Sequence, residues 1–197
     1  MAAILQSLGR TVIAGIVVLI VIVILAGAGT GRMISPDMAW STFFMRWLHV
    51  LSGVMWIGLL WYFNFVQMPS MPKIPDEQKP AVSKVIAPEA LFWFRWAALA
   101  TVVTGLLLAW MNGYIVLALS VQKPFHAIGI GMWLALVMAF NVWFIIWPYQ
   151  QKALGMVQVS PEEKTAAARK AMLTSRFNTM LSIPMLFCMV AQQNGGL

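Results

Sequence analysis

Residues 45–67 read MRWLHVLSGVMWIGLLWYFNFVQ, an oily run that carries Arg46 and His49 near its start. A hydrocarbon core about 30 Å thick takes about 20 apolar residues per helix, and neither a guanidinium nor an imidazole rests there without a partner. Four more stretches share this character, so the sequence predicts spans at roughly 11–30, 42–66, 90–111, 125–147 and 177–192. Hydrophobic residues make up 61% of the 197 and charged residues 10%, far from a soluble domain. The expectation is an all-α integral membrane protein with five transmembrane helices: an N-terminal anchor helix and connection over 1–40, then a four-helix bundle over 41–197.

Charge position sets orientation. With the N-terminus on one side, that side collects Arg10, Lys73, Lys79, Lys84, Lys152, Lys164, Arg169, Lys170 and Arg176, and the other only Arg32, Arg46 and Lys123. The richer side is cytoplasmic by the positive-inside rule, placing the N-terminus in and the C-terminus out. The excess of 13 Lys and Arg over 6 Asp and Glu then needs no nucleic acid to explain it. TVIAGIVVLIVIVILAGAGTG, from Thr11, follows a basic residue and ends in small residues as a cleavable signal would, but is read as a retained anchor.

Five prolines in QMPSMPKIPDEQKPAVSKVIAP, residues 67–88, predict a cytoplasmic connection. Ser160 followed by Pro161, Glu162 and Glu163 reads as a helix N-cap, opening a cytoplasmic helix near 161–176. Cys188 is the one cysteine, so there is no disulfide, CxxC knuckle or CxxCH haem attachment, and it reads as a small apolar filler.

RWLHVLSGVMWIGLL, from Arg46, aligns with KPFHAIGIGMWLALV, from Lys123. The basic residue, His, Met, Trp and a later Leu fall at the same offsets, as in a repeat of helical hairpins with parallel elements. Both histidines of the chain, His49 and His126, occupy this position. Residues three or four apart share a helix face, so Arg46, His49, Ser52 or Gly53, and Trp56 form one stripe. Lys123, His126, Gly129 and Trp133 form another. Each offers a cation, an imidazole, a small residue and an aromatic ring, an order that suits haem b. Imidazoles fill axial positions of the iron, the small residue admits a flat macrocycle, and the cations pair with propionates. His49 and His126 are therefore the expected metal ligands. They differ in predicted depth by up to roughly 8 Å at 1.5 Å per residue, which a tilt absorbs unless they serve different centres. The plainer alternative is that each imidazole hydrogen-bonds a neighbouring helix, worth about 1 kcal/mol.

Fifteen methionines raise copper handling, but their spacing is irregular and Met is a common filler. The ten tryptophans read mostly as an interfacial belt. Arg95, inside FWFRWAALATVVTG, either snorkels or binds an anionic group of a substrate or cofactor. No phosphate loop, catalytic triad or HExxH occurs.

WLHVLSGVMWIGLLWYFNFVQ, PEALFWFRWAALATVVTGLLL and RFNTMLSIPMLFCMV resemble the membrane domain of the bacterial urate hydroxylase (urate oxidase N-terminal) family, over roughly residues 41–194. A looser likeness runs to membrane protoporphyrinogen oxidase and to copper-resistance membrane proteins. The resemblance implies a multi-pass protein of the bacterial inner membrane, with His49 and Arg95 matching the motif best and His126 less distinctly. In that family a cytochrome c domain follows, so the absence of CxxCH makes any c-type acceptor a separate polypeptide. Phe177 and the terminal AQQNGGL stand where the family often has histidine, which weighs against a urate site or a second haem. The functional expectation is a haem b-binding redox subunit exchanging electrons with a quinone or an external cytochrome c. The alternatives are an oxidoreductase acting on urate or a similar ring compound, and a haem-free structural subunit packed against other membrane subunits.

Overall fold

The computed structural model describes residues 2–31, 35 and 37–196; Arg32, one of the cations weighed above, lies outside them. Every regular element among the described residues is helical. The chain divides into two units, Met1–Ser41 and Thr42–Leu197.

In the first unit a single turn, Ala2–Leu5, precedes α1, Leu8–Thr30. Helix α1 has a mean hydropathy of 3.1 and buries none of it, so all its faces require lipid or another protein. It stops at Gly31, whose φ of 68° is open to a residue lacking Cβ. The next helix starts where the Asp37 carboxylate accepts the Trp40 N–H at 2.8 Å.

Four long helices follow or enter the second unit: α2 (Met38–Lys73), α3 (Lys79–Met111), α5 (His126–Ala153) and α6 (Pro161–Asn194), with the short α4 (Ile115–Leu119) before α5. Helices α1, α2, α3 and α5 are long and apolar enough to cross a membrane. Helix α6 is 34 residues long yet more polar, because its first half carries Glu162, Glu163, Lys164, Arg169, Lys170 and Arg176 and its buried face includes Ser175, Asn178 and Ser182. The connection expected over 67–88 shrinks to the few residues between Lys73 and Lys79. Pro80 stands in the first turn of α3, where a missing N–H leaves no bond unmade, Pro72 lies in the closing 3-10 turn of α2, and Pro69 and Pro88 follow directly on the π turns Tyr62–Gln67 and Val82–Ile86. The Ser160 hydroxyl does cap α6, accepting the Glu163 N–H at 3.2 Å. The rod then runs unbroken to Asn194, so the segment near 161–176 and the last expected span are one helix.

A polar seam locks α6 between α2 and α5. Asn64 donates to the Ser175 hydroxyl at 2.8 Å, and the Trp61 indole N–H donates to Ser182 at 3.0 Å. On the other side Asn141 donates to the Asn178 side-chain oxygen at 2.8 Å, and Asn178 donates to the Met138 carbonyl at 2.9 Å. Both anchoring asparagines lie in π turns, Tyr62–Gln67 and Asn141–Ile146, where the i+5 ladder shifts the backbone bonding pattern. The internal repeat therefore extends further than its histidines: Phe63-Asn64 and Phe140-Asn141 fall at the offset that relates Arg46 to Lys123. Around this seam Trp56, Leu60, Phe63, Phe94, Met138 and Val142 fill the core. Cys188 is buried there, against the face of α5 at Gly131.

Asn178→Ala should lower the unfolding free energy by about 1–2 kcal/mol, since two buried partners lose their bond. Thermal unfolding in detergent checks this, with the exposed Thr165→Ala as a near-neutral comparison.

Candidate functional site

His49 projects from α2 against α3. Its Nδ1 is 3.0 Å from the Thr101 carbonyl and 3.2 Å from the Thr104 hydroxyl oxygen. Both threonine hydroxyls already spend their protons on their own helix, Thr101 on Ala97 O and Thr104 on Ala100 O. Each neighbour of Nδ1 is therefore an acceptor, which fixes the proton on Nδ1 and leaves a lone pair on Nε2. Gly105 completes this seat: a methyl added there would lie 2.8 Å from His49 Cε1. The phrase ATVVTG, with Thr101, Thr104 and Gly105 on one helix face, carried this signal in the sequence.

His126 is the first residue of α5. Its Nδ1 is buried without a hydrogen-bond partner. The turn that holds it is built by Gln192 of α6, which donates to the Pro124 carbonyl at 3.0 Å and accepts the Ile128 N–H at 3.2 Å. A glutamine in AQQNGGL thus supplies one of the partners that a helix N-terminus lacks. Phe125 stacks on Tyr114 at 4.8 Å. Burial pushes the Tyr114 hydroxyl up from its usual range while the positive charge of Arg46 pulls it back. Arg46, one turn from His49, and the residue beside His126 are thus linked through Tyr114, which sequence reading did not single out.

The two stripes are not equivalent. Trp56 is fully buried in the core, two turns inward of His49, with its indole N–H unpaired. Trp133, its counterpart, is about half exposed and donates to the Leu119 carbonyl at 2.9 Å. Gly129, expected to leave room for a flat ring, is covered by the Ala118 backbone of α4, where a Cβ would collide with the carbonyl oxygen. Ser52 donates to Leu48 O of its own helix at 2.9 Å, Gly53 faces the Thr101 methyl, and Lys123 is exposed. Arg95 stands apart from the imidazoles: its guanidinium lies over the Trp147 ring, 3.4 Å from the centroid, and 5.5 Å from that of Trp143. Among the described residues no group of three or more His, Cys, Asp or Glu side chains gathers as a metal site. A metal held by protein side chains here would thus rest on the imidazoles, the sparse donor set that an iron already ringed by a macrocycle needs.

Long-range proton–nitrogen NMR on histidine-labelled protein should show His49 as the Nδ1-protonated tautomer at neutral pH. Gly105→Ala should shift the His49 resonances and leave those of His126 in place.

No curated protein and no solved structure matches the chain. Residues 114–195, which hold α4, α5, α6 and His126, match the family model described as Urate oxidase N-terminal, the family that the motifs resemble.

Proposed function

We propose that the chain is a multi-pass redox subunit of the bacterial inner membrane in which His49 and His126 would hold haem b, and which exchanges electrons with a quinone or a separate cytochrome c. In this reading α6 is the fifth span, the N-terminus is cytoplasmic and both imidazoles belong to the outer half. The observation that carries it is the His49 seat: Nδ1–H donating to a backbone carbonyl is the bond that aims an imidazole and raises the basicity of its other nitrogen toward a metal. The unpartnered Nδ1 of His126 and the urate oxidase family match over 114–195 support it further.

When bound, haem b supplies a one-electron couple. The residues of the chain have separate tasks around it. Thr101 and Thr104 hold the His49 ring, and Gly105 leaves space for it. Arg46 offers a cation to a propionate, with Lys123 in the same role beside His126. Trp56 seals the bundle inward of the site and keeps water from the core. Two imidazoles on the iron would favour electron transfer over oxygen binding. A second reading, oxidation of urate or a similar ring compound, is favoured by the family match alone.

A reduced-minus-oxidised spectrum of the purified chain should show a b-type α band, abolished in His49→Ala and reduced or shifted in His126→Ala. A band unchanged in both variants removes these residues as ligands. Reduction of the band by urate without other proteins would favour the enzyme reading.

A further inference from the structure

Arg95 stands midway along α3, a helix that is otherwise apolar enough to cross the membrane. At 1.5 Å per residue it lies about 24 Å from the Met111 end. In a core about 30 Å thick that puts it near the headgroups on the side of the turn between α2 and α3. Among the described residues no carboxylate pairs with its charge. The ion pairs among the described residues are Lys79–Asp76 and Lys152–Glu163. Of the other carboxylates, that of Glu89 accepts from the Trp93 indole at 3.2 Å. The Arg95 Nε–H is buried with no partner.

Aromatic rings fix the guanidinium in place. Trp147 covers one face of it, Trp143 flanks it, and Trp96 braces Trp143 edge-on at 5.4 Å. A guanidinium held flat against a ring keeps its N–H donors in the plane of the fork, directed outward around the rim. Cation–π contact offsets part of the charge but accepts none of those hydrogens. Such a fork matches two oxygens of one oxyanion.

We propose that Arg95, seated on Trp147 and Trp143, is a binding site for the phosphodiester of an anionic phospholipid in the leaflet nearest the turn between α2 and α3. The lipid supplies the counter-charge that the chain lacks, and the tryptophans border its glycerol and upper acyl region, where indole rings are at home. This site is independent of the haem reading, since it shares no residue with the His49 seat.

The test is native mass spectrometry of the full chain released from bilayer nanodiscs containing phosphatidylglycerol and phosphatidylcholine in equal parts. Wild type should retain phosphatidylglycerol preferentially, and Arg95→Gln should lose about fivefold in retention, the effect of one basic residue at a charged membrane surface. Arg95→Lys should keep part of it, and the exposed Arg169→Gln should keep all of it. Trp147→Leu retains the charge but frees the guanidinium, and should also weaken retention. Helix content by circular dichroism identifies any variant that fails to fold, leaving the remaining variants to decide. Competition by millimolar inorganic phosphate would support the oxyanion seat while assigning it to free phosphate rather than lipid. Equal retention by wild type and by folded Arg95→Gln would overturn the proposal.

Discussion

A polar group buried among helices must find its partner within the protein, and helix α6 is organised around that requirement. Its face carries Ser175, Asn178 and Ser182 where lipid-soluble helices carry leucine. Each of these binds a side chain or carbonyl on α2 or α5. Apolar packing alone gives little preference for one helix neighbour over another in lipid, since the tails are as oily as the side chains. The seam therefore sets the order of the bundle. It also fixes the rotation of α2 and α5, and with it the direction in which they present His49 and the start of α5.

The same rule applies at the end of the bundle that holds the histidines, with a different outcome. The Nδ1–H of His49 donates to the Thr101 carbonyl, and Nε2 keeps its lone pair. His126 sits in a turn held by Gln192 and stacked through Phe125 and Tyr114, yet its own Nδ1 has no partner. A fully satisfied histidine pair would speak for structure alone. Two incompletely satisfied imidazoles, on the elements related by the internal repeat, are the observation on which the proposed ligand site rests, with the buried Trp56 two turns along α2 from His49.

Much of this was legible from residue types. The apolar runs gave four of the long helices because a bilayer leaves little choice of element, and Ser160 marked the start of α6 through its capping chemistry. The proline count misled over 67–88 because proline fits a helix's first turn, as Pro80 does, or the turn after a π bulge, as Pro69 and Pro88 do, as well as a loop. Gly129 misled in another way: a glycine announces a close approach without naming what approaches, and here it is the Ala118 backbone. The repeat identified His49 and His126 but implied an equivalence that Trp56 and Trp133 do not keep, since burial depends on neighbours that the repeated segment does not contain. Tyr114 and Gln192 were missed because their roles arise from contacts between elements far apart in sequence.

The most direct test of the account is the low-temperature electron paramagnetic resonance spectrum of the oxidised, purified chain. Ligation by His49 and His126 predicts a low-spin ferric haem signal of the bis-imidazole type. A protein that is folded and haem-replete in its growth medium, yet silent in the ferric haem region, would contradict it.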